Sequence, residues 1–139
     1  MCIFCDIIND KLPSYKVYED EKFLAFLSYP QAVYGHILLI PKQHYSSFKE
    51  TSNEHLSEIF PLAKKIIKHL EEKLNVSNYN ILTNCGKDAG QTIEHFHLHL
   101  LPRVEDDTLT IKLSSISLSK SQYEHLYQLL KMNQTKQLI

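Results

Sequence analysis

The segment EHFHLHLLPR, residues 94–103, sets histidines at positions 95, 97 and 99 and alternates them with Phe96, Leu98 and Leu100. Successive side chains of a β-strand point to opposite faces. As a strand, the segment gathers His95, His97 and His99 on one side and sends Phe96, Leu98 and Leu100 into a core; as a helix, it would scatter them around the circumference. Pro102 suits the end of such a strand. Three imidazoles on one face need partners or solvent, because a buried polar group without a hydrogen bond is costly. Three readings follow. The strand is an ordinary amphipathic one with half-exposed histidines, or it carries a metal site, since neutral imidazoles ligate zinc, or it carries a nucleophile, since neutral imidazole nitrogen attacks electrophiles.

The remainder of the chain narrows the setting. Its 139 residues, 43% of them hydrophobic, suffice for one compact domain with its own core. No apolar run approaches the roughly 18 residues of a membrane span, so no membrane association is expected. The start, MCIFCDIIND, lacks the basic residues and sustained apolar run of a secretory signal. With three cysteines and no such signal, a reduced, cytoplasmic setting is expected rather than a disulfide framework. A formal net charge of −1 argues against broad binding to nucleic-acid phosphates.

Along the chain, YKVYEDEKFLAFLS reads as two strands around a polar turn at Glu19–Glu21, and GHILLIP as a buried strand between Gly35 and Pro41. From Thr51 the period becomes helical: Leu56, Ile59, Ala63, Ile66, Leu70 and Leu74 share a face, with Thr51 and Glu54 as a capping box. Pro61 should kink that helix or move its start. Lys64, Lys65, Lys68, Glu71, Glu72 and Lys73 read as its solvated face. YNILTN is a further strand, CGKDAGQT a glycine-containing loop, and TLTIKL a possible strand. KSQYEHLYQLLKMN is a helix capped by Ser119 or Ser121, and the final QTKQLI is expected to fray. The sum is an α+β fold: an antiparallel sheet of about five strands, one long helix and a C-terminal helix.

The motif HFHLHLLPR, with GHILLIPKQH, CIFCDII, YEDEKFLAF and LTNCGKDAGQT upstream in matching order and spacing, resembles the histidine triad superfamily, and in particular its Hint-like branch. The resemblance spans residues 2–103 as one domain, leaving 104–139 as a C-terminal extension of the same globule. It implies hydrolysis or transfer at the α-phosphate of a nucleoside phosphoramidate or related purine nucleotide conjugate, in a homodimer. By the same resemblance His97 is the nucleophile and forms a covalent nucleotidyl-histidine. His99 donates to a phosphate oxygen and the leaving group, and His36 supports the pocket. Asn84, Gly90, Gln91 and Thr92 match positions that hold the phosphate and leaving group, while Ile3, Phe4 and Phe26 match positions lining a base pocket. Ser28 stands where many relatives have an acidic residue gripping the ribose hydroxyls; a serine is shorter and uncharged. The chain has no tryptophan, so the C-terminal Trp contact of some Hint-like proteins is absent. The alternatives are a non-catalytic nucleotide- or partner-binding module of the same family, and a metal-dependent hydrolase using His36, His97 and His99 as ligands.

Cys2 and Cys5 form a Cys-x-x-Cys pair without a preceding βαβ pattern, which favours zinc over redox chemistry. Spacing alone does not choose two histidines among eight. The resemblance, to a zinc-containing bacterial subset, implies His44 and His95, closing one structural zinc site per chain. Cys85 has no counterpart and reads as incidental.

Overall fold

A computed structural model describes residues 2–133. Five strands, β1 (Lys16–Glu19), β2 (Phe23–Leu27), β3 (Ile37–Pro41), β4 (Asn78–Leu82) and β5 (Leu98–Arg103), form one antiparallel sheet in the order β1-β2-β3-β5-β4. Helices α1 (Ile3–Ile8), α2 (Asn53–Leu74) and α3 (Lys120–Leu130) complete the α+β architecture. The chain divides into two compact units between Leu109 and Thr110; the first carries the sheet, α1 and α2, and the second carries α3.

Each sheet face has its own core. On one, Ala25, Ile37, Leu39, Phe96, Leu98 and Leu100 pack against Ile59, Leu62, Ala63, Ile66 and Leu70 of α2. On the other, Leu24, Phe26, Leu38 and Ile40 pack against Phe4 and Ile7 of α1. This second face also carries His99, which lies opposite Leu38 in the β3–β5 register. Central β3 is buried throughout, consistent with its continuous apolar run.

Several local expectations are corrected. The cap of α2 is Ser52, whose Oγ accepts from the His55 amide at 3.1 Å, rather than Thr51 with Glu54. Thr51 is buried and donates its Oγ1 proton to the Ser47 carbonyl, closing the 3₁₀ turn Phe48–Glu50 that leads in. Pro61 does not set the helix start. A proline inside a helix costs ~3 kcal/mol, but Ile59, Leu62, Ala63 and Ile66 bury on both sides of it against the sheet, and that packing carries the helix through. Residues 108–113, the TLTIKL segment, form no strand. Arg103 grips Asp107 through Nε and one terminal nitrogen at 2.8 and 2.9 Å and also binds the Leu109 carbonyl at 2.6 Å, so the chain turns away before it can pair.

The histidine segment is strand only from Leu98 onward; His95 and His97 precede it. The amide of His95 bonds to the Ile93 carbonyl at 2.9 Å, and that of Phe96 to the Tyr45 carbonyl at 2.7 Å, which bends the approach. The alternation nevertheless survives in the side chains. Phe96, Leu98 and Leu100 enter the α2-side core, while Phe4 on the other side meets the rings of both His95 and His97 edge-on. Pro102 is tolerated because β3 pairs with β5 only as far as Leu100, so no ladder bond is required of it from that side. Ser119 caps α3 in a reciprocal capping box with Gln122. The expected fraying of QTKQLI lies outside the described residues.

Candidate active site and metal centre

The protonation pattern of the histidines can be read from their partners. His97 is buried and its Nδ1 lies 2.7 Å from the His95 carbonyl oxygen. A carbonyl only accepts, so Nδ1 carries the proton and Nε2 carries the lone pair. His36 Nδ1 accepts from the Ala32 amide at 3.1 Å, which places the His36 proton on Nε2. That Nε2–H donates to His99 Nδ1 at 2.9 Å, and neutral His99 therefore keeps its own proton on Nε2. The His97 and His99 rings stand 4.9 Å apart between centroids. A nucleophilic lone pair and a proton donor thus sit on adjacent imidazoles.

Burial keeps these rings neutral. Desolvation, reinforced by the neighbouring imidazoles, pushes both His36 and His99 down to about 4. Burial also lowers His97, against the opposing pull of its bond to the His95 carbonyl. The Phe4 ring, perpendicular to that of His97 with centroids 5.2 Å apart, forms part of the apolar cover, and Phe26 packs against Phe4 with centroids 5.5 Å apart.

Next to His97 a second cluster forms. Helix α1 opens with Cys2 as its cap, and the Cys2 Sγ accepts from the Cys5 amide. No capping or periodicity signal in the sequence marks this helix. The helix carries the Cys-x-x-Cys pair at its start, though without the βαβ surroundings of a redox motif. Donor atoms of Cys2, Cys5, His44 and His95 all lie within 4.8 Å of one another. His95 donates its Nε2–H to the Pro41 carbonyl at 2.8 Å, which leaves Nδ1 as a lone pair facing Cys2 Sγ at 3.3 Å, Cys5 Sγ at 3.7 Å and His44 Nδ1 at 3.2 Å. Cys5 Sγ and His44 Nδ1 are 3.4 Å apart. A zinc tetrahedron with Cys and His ligands has edges of roughly 3.3–3.8 Å; four of the six donor separations lie at 3.2–3.7 Å, so the donor chemistry and spacing suit such an ion. Its second contact, from His95 to a backbone carbonyl, is how metal-binding imidazoles are usually oriented. Burial, and then the Cys2 side chain, push the Cys5 thiol up to about 11.

The loop ahead of the histidines is braced by its own residues. Gln91 accepts from the Gly86 amide at 2.9 Å and donates to the Ser46 and Ile93 carbonyls at 2.7 and 3.0 Å, so both ends of its amide are committed to backbone. Asn84 reaches the Gly90 carbonyl at 3.4 Å, and Gly90 takes a left-handed φ of 96°. Thr92 and Ile3 line an open hollow of about 680 Å³ together with Cys2, Cys5, His44, Ile93 and Glu94. Phe4 and Phe26 are core residues that also wall the histidines. Ser28 turns its hydroxyl to the Pro30 carbonyl at 3.0 Å. Cys85 is apart from the cysteine pair and bonds to Ser47, which holds its thiol below the ordinary range. An apolar cleft of about 490 Å³ between α2 and the opposite sheet face contains none of His36, His95, His97 or His99. The carbonyls of His95 and Pro41 and the Ala32 amide escaped sequence reading, because backbone groups carry no residue signature.

The HIT domain family pattern matches residues 9–106. The chain is 42% identical over 116 residues to an uncharacterised HIT-like protein of Methanocaldococcus jannaschii, covering 84% of this chain and 89% of that one. It is 38% identical over 113 residues to an adenosine 5′-monophosphoramidase of Candida albicans, covering 77% of this chain and 73% of the relative. Among solved structures, a HIT family member from Bacillus subtilis superposes with a TM-score of 0.85 at 32% identity, covering 96% and 99% of the two chains. A zinc-bound histidine triad family protein from Mycobacterium smegmatis superposes with a TM-score of 0.75 at 35% identity, covering 81% and 82%.

Proposed function

Since the chain belongs to the HIT domain family, we propose that it is a nucleotidyl hydrolase or transferase that cleaves nucleoside phosphoramidates, or related purine nucleotide conjugates, through His97. The observation that carries this reading is the 2.7 Å bond from His97 Nδ1 to the His95 carbonyl, which leaves Nε2 unprotonated inside a buried site. In the first step the Nε2 lone pair attacks the α-phosphorus, a P–N(His97) bond forms and the bond to the leaving amine breaks. The nitrogen departs as the neutral amine, its proton taken from solvent, while the Nε2–H of neutral His99 donates a hydrogen bond to a phosphate oxygen and to the leaving group. Water then attacks phosphorus, returns one proton to solvent and releases the nucleotide from His97. The products are a nucleoside monophosphate and an amine, and the histidines return to their starting protonation. Asn84, Gly90, Gln91 and Thr92 are proposed to hold the phosphate oxygens, which gain charge during attack; the Gly90 and Gln91 amides are given to the Lys87 and Gly86 carbonyls, so these two residues shape the loop and the Thr92 hydroxyl is the proposed donor. Ile3, Phe4 and Phe26 are proposed to border the base.

The bulk of this chemistry requires no metal. We assign Cys2, Cys5, His44 and His95 to a structural zinc ion, one per chain; the donor chemistry and the zinc-bound relative support it. A bound ion would tie the start of α1 to the segment that carries the nucleophile. Ligation by His36, His97 and His99 is disfavoured because His36 and His99 direct one nitrogen each at the other. A cytoplasmic homodimer with no nucleic-acid or membrane partner completes the proposal. Among the described residues, no helix is long and apolar enough to cross a membrane. One observation favours the alternative of a binding module without turnover: the Ser28 hydroxyl is engaged with Pro30 rather than free for a ribose. Assay of the protein and of His97→Ala with adenosine 5′-phosphoramidate separates the two. Turnover by the former that falls by about three orders of magnitude in the latter supports the hydrolase; tight nucleotide binding without turnover supports the module.

A further inference from the structure

Gln31 lies in the loop between β2 and β3, and every polar atom of its amide is spent on that loop's backbone. Its Oε1 accepts from the Gly35 and His36 amides at 2.8 and 3.0 Å. Its Nε2 donates to the Ser28 and His36 carbonyls at 2.7 and 2.8 Å. The two groups on each side of the amide differ in kind, so the carboxamide orientation is dictated: oxygen toward N–H groups, nitrogen toward carbonyls. Four backbone groups of residues 28–36 thereby meet at one side chain. Two of them are the N–H and C=O of His36 itself, which also bond to the Val33 carbonyl at 3.1 Å and the Ser28 amide at 3.0 Å, so the side chain adds a second set of ties to a loop already pinned by backbone.

What this loop presents is the Ala32 amide. It points at His36 Nδ1 at 3.1 Å and is the group that forces the His36 proton onto Nε2. The proton on Nε2 in turn occupies His99 Nδ1 at 2.9 Å. Without the Ala32 contact, neutral imidazole would distribute its proton between both nitrogens, and His99 would lose its fixed donor face. An amide pinned only by an exposed loop would not hold a ring to hydrogen-bond tolerance; the closed loop does so because Ser28 at one end and Gly35 and His36 at the other are bound to the side chain of Gln31, next in sequence to Ala32.

We propose that Gln31 is a positioning residue that sets the proton arrangement of the His36–His99 pair by holding the 28–36 loop closed around His36. It touches neither the nucleophile nor any reacting atom. The inference rests on the reading of His99 as the hydrogen-bond donor to the reacting group for its catalytic consequence, but its structural half does not.

The test uses the full chain and two variants of nearly equal side-chain size. Gln31→Met removes all four hydrogen bonds. Gln31→Glu keeps an acceptor for the Gly35 and His36 amides but turns an oxygen toward the Ser28 and His36 carbonyls, where a donor is needed. Imidazole ¹⁵N shifts and their two-bond couplings are recorded on each ligand-free protein, and kcat and KM are measured with adenosine 5′-phosphoramidate. In the unaltered protein His36 and His99 each show a bare Nδ1 and a protonated Nε2. In both variants the expected result is a mixed proton distribution on both rings, with kcat lower by about tenfold and KM changed by less than about threefold. A folded variant that retains the original ring signals and kcat would overturn the proposal, and so would loss of thermal stability alone. Should Gln31→Met not fold, Gln31→Glu decides by the same signals. If the protein turns over no phosphoramidate, the ring signals still report on Gln31, so failure of the functional reading and failure of this inference are distinguishable.

Discussion

His95 serves His97 through its backbone while its ring faces the Cys2, Cys5 and His44 donors of the proposed metal site. Its carbonyl accepts the His97 Nδ1 proton at 2.7 Å, and its own Nδ1 faces the two cysteine thiols and His44. The same residue is anchored a third way, by its Nε2–H on the Pro41 carbonyl of central β3. The orientation of His97, the proposed nucleophile, and the proposed tether of the N-terminal helix therefore meet at one position.

That junction predicts what metal removal does. Structural zinc contributes on the order of 10 kcal/mol to folding of small metallopeptides, and less in a domain that already has a core. Chelation, or Cys5→Ser, should lower Tm while leaving a measurable fraction of turnover, because Pro41 still holds His95. Metal uptake should also strengthen with rising pH and release protons, since the Cys5 thiol of the metal-free protein sits up at about 11 and must lose its proton to ligate. The check is Tm and activity on one chelated sample of verified metal content. Abolished turnover at unchanged Tm would mean that the metal takes part in the reaction.

A pH prediction follows from the buried imidazoles. His36 and His99 are held at about 4 in the folded chain, against roughly 6.5 when unfolded. Between those values the unfolded chain binds more protons, so their contribution to stability is fully present above about pH 6.5 and is lost as pH falls toward 4. Burial also lowers His97. On the acid side, kcat/KM should therefore rise with pH below the ordinary histidine range and be level by about pH 7. Tm and kcat/KM measured on a common pH series test both statements; an acid limb centred above 7 would contradict them.

Much of this site is legible in the sequence, and particular residues explain why. The alternation at 95–99 is a property of the chain itself, so the two faces survive although the strand proper begins at Leu98. The pairing of Cys2 and Cys5 with His44 and His95 rested on resemblance, and the fold brings the four together. Three things were hidden. Helix α1 is short and has Cys2 rather than a usual residue as its cap, so no propensity signal marks it. The TLTIKL alternation has the pattern of a strand, but a strand needs a ladder partner, and the Arg103–Asp107 contact turns the chain first. Gln31 acts on backbone groups alone, and a glutamine in a loop announces no such role.

Ribose recognition gives a specificity prediction. The Ser28 hydroxyl donates to the Pro30 carbonyl and carries no charge. The preference for ribonucleoside over 2′-deoxyribonucleoside phosphoramidates should thus be weak, within about tenfold. Ser28→Asp should raise it by about tenfold or more, the worth of one hydrogen bond to a charged group. Paired kcat/KM values for the two substrates decide the matter. A strong ribose preference in the unaltered protein would place that recognition on another residue.

Gly35 supplies a stability prediction tied to the same loop. Its φ is +92°, and a Cβ there would lie 2.8 Å from Leu74 Cδ1 and 3.2 Å from Pro102 Cγ. Gly35→Ala should destabilise the fold by about 1–3 kcal/mol from backbone strain, with crowding against Leu74 and Pro102 in addition. Denaturant titration measures it. An unchanged midpoint would mean that the loop relaxes freely.

The central claim is that His97 Nε2 forms the bond to phosphorus. Rapid acid quench of the protein during turnover of adenosine 5′-phosphoramidate, followed by intact-mass and peptide mapping under conditions that preserve P–N bonds, tests it most directly. The account predicts one adenylyl group per chain on His97, absent from His97→Ala. Adenylate on any other residue, or turnover that proceeds with no protein-bound adenylate under conditions that preserve such a bond, would contradict it.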